Sequence, residues 1–238
     1  MDINSSKDYP IDKYIDRAIK INKENYISTN LLTIPIEYRK YIDKIILPYG
    51  YINDRVENLA RQIVQENNHK DLVLLVIMKS SLMYSHYLIK YITEIKKNKD
   101  FGGKIYYEYI SSNSYKNDKS SGEVKINTSE ETFKKLEGKD IIIIEDVYDS
   151  GTSLNYLVNF INKFKPNSLK INVLFLKENK ANLKFDNFDI NYLGFILPND
   201  SFIVGYGIDY NECFRDLNHL CEVSENGYEL LKKELNIN

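Results

Sequence analysis

Residues 141–154, which read IIIIEDVYDSGTSL, decide the predicted fold, because a run of branched apolar residues passes directly into an acidic pair and a Ser/Gly/Thr turn. The four isoleucines indicate a strand that is buried on both faces of a parallel sheet. Apolar residues from Leu154 to Ile161 then follow the spacing of one helical face. We therefore interpret this segment as a strand, a polar turn and a helix.

The same alternation of strand and helix extends in both directions along the chain. Residues 72–78 and 169–176 are apolar runs of strand length, and residues 53–66 and 88–95 have helical spacing. A further strand is predicted at residues 105–110. Strands that alternate with helices predict an α/β fold, with a central, mostly parallel, twisted sheet and helices on both faces.

The composition of the 238-residue chain is that of a globular protein. Hydrophobic residues make up 43% of the chain and aromatic residues 13%, which is too rich in core-forming side chains for a disordered protein. The formal net charge is -2, from 32 basic and 34 acidic side chains. A broad electrostatic contact with nucleic acid is therefore not expected, and any phosphate must be bound locally.

Neither a membrane span nor a signal peptide is predicted. The longest apolar run covers only residues 72–78, and the start of the chain is polar and acidic. Cys213 and Cys221 have no C-x-x-C spacing, and we interpret them as half-buried thiols in a reducing, cytoplasmic compartment. The three histidines are scattered along the chain, which disfavours a zinc site.

The turn that follows the isoleucine strand has the chemistry of an anion site, because its backbone N–H groups lie at a helix N-terminus and its hydroxyls add donors. The turn consists of Ser150, Gly151, Thr152 and Ser153. The carboxylates of Glu145, Asp146 and Asp149 would repel a phosphate unless a divalent cation or sugar hydroxyls lie between them, which favours Mg²⁺. The alternative is that Asp149 only caps the helix and that the acidic pair is solvated at a strand end.

The acidic pair followed by DSGTS at residues 149–153 resembles the phosphoribosyl-pyrophosphate binding signature of the type I phosphoribosyltransferases. Three further blocks narrow the resemblance to the hypoxanthine-guanine (6-oxopurine) phosphoribosyltransferases, and most of all to protozoan and animal members. They are residues 34–60, residues 114–122 and residues 202–227, of which the last reads FIVGYGIDYNECFRDLNHLCEVSENG. The resemblance extends from about Thr33 to the C-terminus.

The resemblance implies a type I phosphoribosyltransferase fold with a small hood subdomain built from N- and C-terminal segments. We expect residues 1–30 to form a weakly ordered arm or a surface helix, and residues 31–238 to form the phosphoribosyltransferase domain. The hood is expected from about residues 31–50 and 180–238. A mobile loop is expected at about residues 111–124, because a long polar loop inside a compact domain is typical of a functional segment.

The resemblance also implies purine salvage by a Mg²⁺-dependent pentosyltransferase, expected to be a homodimer or homotetramer. It would move the 5-phosphoribosyl group of phosphoribosyl pyrophosphate to N9 of hypoxanthine or guanine, with xanthine left open. Asp149 would be the general base near purine N7, where its carboxylate also offsets the charge of an oxocarbenium-like state. Glu145 and Asp146 would meet the ribose hydroxyls, directly or through Mg²⁺, and Asp209 would hold a second Mg²⁺.

The remaining substrate contacts are implied by the same resemblance. Ser150, Gly151, Thr152 and Ser153 would hold the 5′-phosphate, and Lys79, Ser80 and Arg215 would bind pyrophosphate. Lys177 would donate to the purine O6, Phe202 would stack on the base and Ile203 would bind it through backbone groups, with Asp209 beside them. Ser114 and Tyr115 belong to the loop that would close over the site and exclude water.

Several of these residues have simpler interpretations. Lys79 is compatible with an ordinary lysine at a strand end, and Phe202 with a core aromatic residue. Arg215 is compatible with a structural ion pair to Asp216 or Asp209. The polar loop at about residues 111–124 is compatible with a solvated connection.

Several positions depart from the family pattern. Ser80 stands where glycine is usual, and its Cβ is expected to hinder the loop geometry. Basic residues are usual where this chain has Ser111, Asn113, Thr152 and Ala181. A charge-assisted contact contributes about 1.5 to 3 kcal/mol, so each lost contact predicts binding weaker by about one to two orders of magnitude. Because Asp149 is retained, we expect an active enzyme with high Michaelis constants; the alternative is a weak or inactive relative that binds purine nucleotides or has a regulatory role.

Overall fold

The computed structural model describes residues 18–97, 102–114, 124–126, 130–149, 151–178, 188–199 and 201–235. In chain order the elements are β1 (Ile19–Lys20), β2 (Ile27–Ser28), β3 (Ile42–Leu47), α1 (Tyr49–Glu66), β4 (Leu72–Met78), α2 (Leu82–Lys97), β5 (Ile105–Ser114), β6 (Val124–Ile126), α3 (Glu130–Lys134), β7 (Asp140–Tyr148), α4 (Thr152–Asn162), β8 (Ser168–Lys177), β9 (Ile190–Leu197), β10 (Ile203–Val204), β11 (Leu220–Val223) and α5 (Glu225–Glu234). Short 3₁₀ turns lie at Lys23–Asn25 and Thr29–Leu31.

A seven-stranded sheet forms the centre of the molecule, in the order β1-β9-β8-β7-β4-β5-β6. Its neighbouring strands are parallel, apart from β6, which pairs with β5 in the antiparallel sense. The predicted α/β fold with a mostly parallel sheet is therefore confirmed. The carboxyl ends of β4, β7 and β8 lie at the same edge, which is where open parallel sheets bind ligands.

The sheet is covered on both faces because alternate residues of its central strands point in opposite directions. Leu74 and Ile142 pack with α1 and α2 in one core cluster. Leu75 and Ile143, the next residues along the same strands, pack with α3 and α4 in a second cluster. Burial of one such side chain stabilises the fold by about 1.5 to 3 kcal/mol. The two apolar faces of the sheet therefore hold α1 and α2 on one side and α3 and α4 on the other.

A second, four-stranded sheet in the order β10-β11-β3-β2 forms a small subdomain with its own core. Phe214 and Cys221 are buried in that core together with Leu231 of α5. This arrangement has the position in the chain that was expected for the hood. The expected range of about residues 180–238 also includes β9, but that strand lies in the main sheet.

The segment before residue 31 contributes two short strands that the sequence did not predict. Ile19 and Lys20 form β1, which extends the edge of the main sheet beside β9. Ile27 and Ser28 form β2, which extends the second sheet beside β3. Residues 1–17 lie outside the described part of the chain.

The expected loop at about residues 111–124 begins later than predicted. The β5 strand continues to Ser114, and residues 112–114 pair with β6. Tyr115 and the residues up to position 123 lie outside the described ranges. The apolar residues of β5 end at Ile110, so side-chain pattern alone could not extend the strand.

Among the described helices none combines the length and the apolar character that a membrane crossing requires. Both cysteines are free thiols, with Cys221 buried and Cys213 half-buried.

Candidate active site

A cavity of about 490 Å³ lies between the carboxyl edge of the main sheet and the second sheet. It brings together eight residues that the sequence singled out, namely Ser80, Glu145, Asp146, Asp149, Lys177, Phe202, Ile203 and Asp209. The rest of its wall is formed by Val147, Asn199, Ser201 and Ile208. One concave site therefore collects residues from positions 80 to 209, as a substrate-binding site requires.

The acidic pair lies within strand β7, which continues to Tyr148. The strand was expected to end in the acidic pair, but the pairing of Val147 and Tyr148 with β8 continues it to Tyr148. Asp146 is only 2% exposed. Its Oδ1 accepts hydrogen bonds of 2.8 Å from the hydroxyls of both Ser80 and Ser81.

Burial raises the pKa of Glu145 well above its ordinary value of 4.5, and the neighbouring charge of Asp146 adds to the effect. Burial also raises the pKa of Asp146, while the hydroxyls of Ser80 and Ser81 oppose that shift. Two adjacent carboxyl groups whose charge is disfavoured by burial suit a hard divalent cation. No cluster of three or more potential metal ligands occurs among the described residues, so Mg²⁺ bound here would take its remaining ligands from substrate and water.

The N-terminus of α4 has Gly151 as its N-cap, with a left-handed φ of 73°. A Cβ at this position would also collide with the ring of Tyr148, so glycine meets both a conformational and a steric requirement. The interpretation of Asp149 as the helix cap is wrong, because the cap is Gly151, two residues later. Asp149 is exposed and lines the cavity. Ser153 is half-buried in the first turn of the helix.

Five of the residues singled out in the sequence cannot be placed in full. Ser150, Tyr115 and Ala181 lie outside the described residues, and of Ser114 and Thr152 only the backbone is described, in β5 and α4.

On the opposite side of the cavity, Lys177 is the last residue of β8, as predicted. As a residue Lys177 is 8% exposed, and its ammonium group donates a hydrogen bond to the main-chain carbonyl of Ser201. Phe202 is 39% exposed, so it is not a core aromatic residue. Its ring centroid lies 5.2 Å from those of Tyr210 and Tyr228, which hold it in a three-ring cluster. Ile203 begins β10 and pairs with β11.

The two predicted pyrophosphate cations share one carboxylate. Lys79 Nζ lies 3.2 Å from Glu212 Oε1, and Arg215 Nη2 lies 3.3 Å from Glu212 Oε2. Arg215 Nη2 also lies 3.0 Å from Asp209 Oδ1, so the pairing of Arg215 with Asp209 is confirmed. Asp216 instead accepts a hydrogen bond of 2.8 Å from the Tyr38 hydroxyl.

Asp209 connects the two cations to the cavity wall. Its Oδ2 accepts a hydrogen bond of 2.7 Å from the Glu212 amide, and its Oδ1 faces Arg215. Both carboxylate oxygens therefore have partners, and a metal ion at Asp209 would compete with Arg215 for Oδ1.

Sequence reasoning missed Ser81 and Ser201. Ser81 is a polar residue directly after a buried parallel strand, which is a signal for a site at the carboxyl edge of the sheet. Ser201 meets Lys177 through its main-chain carbonyl, a role that no residue type reveals.

A family model described as "Phosphoribosyl transferase domain" matches residues 46–211, which is well over half of the chain. The chain belongs to the phosphoribosyltransferase family. Together with the sheet order and the site at its carboxyl edge, this confirms the type I phosphoribosyltransferase fold.

Within this family, the chain is similar to hypoxanthine-guanine phosphoribosyltransferases and to a related phosphoribosyltransferase-domain protein. The chain is 36% identical over 200 residues to human phosphoribosyltransferase domain-containing protein 1, covering 84% of this chain and 87% of the relative. It is 35% identical over 198 residues to bovine hypoxanthine-guanine phosphoribosyltransferase, covering 83% and 88%. A solved structure of the hypoxanthine phosphoribosyl transferase of Trypanosoma cruzi superposes with a TM-score of 0.70 at 26% identity, covering 84% of this chain and 100% of that one. The predicted membership of the hypoxanthine-guanine phosphoribosyltransferase group is confirmed.

Proposed function

We propose that the protein is a purine salvage phosphoribosyltransferase that transfers the 5-phosphoribosyl group of phosphoribosyl pyrophosphate to N9 of hypoxanthine or guanine. The products are IMP or GMP and pyrophosphate. The observation that carries the proposal is the cavity that joins the acidic pair of β7 and Asp149 on one side to Lys177 and Phe202 on the other. A ribose can lie there beside the carboxylates, and a purine base can lie beside Lys177 and Phe202.

In the reaction, the bond from C1′ of ribose to the pyrophosphate oxygen breaks, and a bond from C1′ to purine N9 forms. The pyrophosphate leaves with the electron pair, so C1′ develops positive charge. Asp149 accepts the proton from purine N7, and its carboxylate stabilises the charge on the sugar. Its place on the wall of the cavity that also contains Glu145, Asp146 and Lys177 supports this role.

The base is selected by Lys177 and held by Phe202. The buried ammonium group of Lys177 donates to an oxygen at purine C6. Adenine presents an amino group there, which is a donor itself, so 6-oxopurines are preferred. The open ring of Phe202 stacks on the base, and backbone groups of Ile203 bind its edge.

The phosphates are bound at two places. The 5′-phosphate lies at the start of α4, where Gly151 allows close backbone approach and the first N–H groups of a helix favour an anion. The pyrophosphate is bound by Lys79, Ser80 and Arg215, and its charge replaces Glu212 as the partner of the two cations.

Mg²⁺ would be held by Glu145, Asp146 and, at a second position, Asp209. It would neutralise charge on the pyrophosphate and so make that group easier to release. We further propose a homodimer or homotetramer. The free thiols of Cys213 and Cys221 fit a cytoplasmic location, where disulfides are rare.

The proposal is tested by incubating the protein with phosphoribosyl pyrophosphate, Mg²⁺ and one of hypoxanthine, guanine, xanthine or adenine. Nucleotide formation is followed by absorbance and by chromatography. We expect turnover of hypoxanthine or guanine, and little with adenine. If no purine reacts while IMP still binds, the protein is a nucleotide-binding relative and not an enzyme of salvage.

A further inference from the structure

The loop between β4 and α2 carries two adjacent serines whose hydroxyls meet one carboxylate oxygen. Ser80 Oγ and Ser81 Oγ each donate to Asp146 Oδ1 at 2.8 Å. Ser81 is fully buried and Asp146 is 2% exposed. Hydrogen bonds to an ionised group are stronger than neutral ones, and burial removes water as a competing partner.

The contact of Ser81 with Asp146 is reciprocal. The Asp146 amide donates to Ser81 Oγ at 3.0 Å, while the Ser81 hydroxyl donates to Asp146 Oδ1. The serine oxygen is therefore fixed by the backbone of β7. The end torsion of an aspartate is soft, but rotation of this carboxylate would break both hydroxyl contacts at once.

The Ser80 side chain is accommodated in the loop without the hindrance expected from the sequence. The non-glycine residues with positive φ in the described chain include neither Ser80 nor Ser81. Ser80 also lines the cavity, so its hydroxyl connects the pyrophosphate loop to the ribose side of the site.

We propose that Ser80 and Ser81 are positioning residues that hold the Asp146 carboxylate in the orientation that receives the ribose hydroxyls of the phosphoribosyl donor. The inference rests on the proposed function and deepens it. We expect the two serines to act on the sugar side, because both of their hydroxyls donate to Asp146.

Ser80→Ala is the most direct test, because it removes the hydroxyl and keeps the Cβ. Loss of one charge-assisted hydrogen bond should raise both the KM and the calorimetric Kd for phosphoribosyl pyrophosphate about tenfold. The KM for hypoxanthine and the Tm should stay as in the wild type. Ser80→Thr retains a hydroxyl and should keep the donor affinity within about twofold.

Ser85→Ala is the matched control. Ser85 is buried in α2, its hydroxyl donates to the Leu82 carbonyl at 3.0 Å, and it is not part of the cavity wall. This variant should leave the affinity for phosphoribosyl pyrophosphate unchanged. In an Asp146→Asn background, Ser80→Ala should reduce donor affinity by less than in the wild type, because the part of its effect that passes through Asp146 is then already lost.

Three results would overturn the inference. They are an unchanged donor affinity in Ser80→Ala, an equal rise of both Michaelis constants with a lowered Tm, and additive effects of Ser80→Ala and Asp146→Asn. If the wild type itself turns over no purine, the proposed function fails. The calorimetric series with phosphoribosyl pyrophosphate then still decides on the two serines separately.

Discussion

The hydroxyl of Tyr26 and the hydroxyl of Ser201 share a hydrogen bond of 2.6 Å, which connects the N-terminal segment to the wall of the cavity. Ser201 is only 4% exposed, and its carbonyl accepts the hydrogen bond from Lys177. The segment expected to be a surface arm therefore reaches the residue whose carbonyl accepts from Lys177, the lysine that we propose selects the purine.

Tyr26→Phe should raise the KM for hypoxanthine about three- to tenfold, since a neutral hydrogen bond contributes about 1 kcal/mol. The KM for phosphoribosyl pyrophosphate should change less, because the hydrogen bond of Tyr26 leads to Ser201 and from there to Lys177. Steady-state kinetics with each substrate varied in turn measure both constants. Tyr51→Phe is the control, as Tyr51 is exposed. A Tyr26→Phe enzyme with wild-type constants would show that Ser201 is held without this bond.

Asp149→Asn should reduce kcat by a factor of about 10² to 10⁴, which is the usual contribution of a general base. The amide cannot take the purine proton, but it has nearly the same shape as the carboxylate. Affinity for IMP, measured by calorimetry, should therefore stay close to the wild-type value. Retention of full turnover would remove Asp149 from the proton transfer.

Lys177→Gln should weaken the preference for hypoxanthine over adenine by about tenfold or more, because the neutral amide can both donate and accept. The ratio of kcat/KM for the two bases measures this preference. Lys163→Gln, at an exposed position beyond the end of α4, is the matched control and should keep the wild-type ratio. An unaltered ratio in Lys177→Gln would place that lysine outside base recognition.

The raised pKa of Glu145 predicts a specific dependence of stability on pH. Between its ordinary value of 4.5 and the raised value, the folded protein holds a proton that the unfolded chain has lost. Stability contributed by this group therefore falls as pH rises through that interval. Glu145→Gln keeps the neutral form at every pH, so its Tm relative to the wild type should rise as pH increases from 4.5 to neutrality.

The same comparison of Tm values should be repeated with Mg²⁺ present. Cations bind the ionised carboxylates, so Mg²⁺ should stabilise the wild type more at neutral pH than near pH 4.5. The advantage of Glu145→Gln should shrink accordingly when Mg²⁺ is added. A difference in Tm that is constant with pH would mean that Glu145 does not titrate in a buried site.

The elements of the fold that could be predicted are those whose own sequence contains a long apolar or periodic pattern. The apolar run of residues 72–78 became β4 with the same bounds, and Lys177 ended its strand as predicted. Two-residue strands such as β1 and β2 carry no periodicity. They form because the edges of two sheets offer backbone partners, which only the assembled structure contains.

The site was predictable where residue type alone indicates chemistry. The carboxylates of β7 are such residues, whereas Lys177 was implied only by the family resemblance. The contacts of Ser80 and Ser81 with Asp146 join positions about 65 residues apart, and the local sequence gives no sign of them. The same holds for Glu212, which looks like a solvated charge in the sequence but pairs with both Lys79 and Arg215.

Gly207→Ala should both destabilise the protein and weaken donor binding. Gly207 has a φ of 96°, and an added Cβ would collide with the carbonyl oxygen of Ser80. A non-glycine residue in this conformation costs about 1 to 3 kcal/mol, and the contact is with backbone that cannot turn away. Chemical denaturation should therefore give a free energy of unfolding lower by about 2 kcal/mol or more.

Relief of that collision requires movement of the Ser80 loop, so the Kd for phosphoribosyl pyrophosphate should rise in the same Gly207→Ala variant. Gly50→Ala is the matched control, because a Cβ at Gly50 meets nothing within 4 Å and the residue lies in the first turn of α1. Its stability should equal or slightly exceed that of the wild type, since alanine favours helix more than glycine does. Equal stabilities and equal donor affinities for the two variants would show that the Ser80 loop yields freely, and that its close contact with Gly207 does not fix the pyrophosphate side of the site.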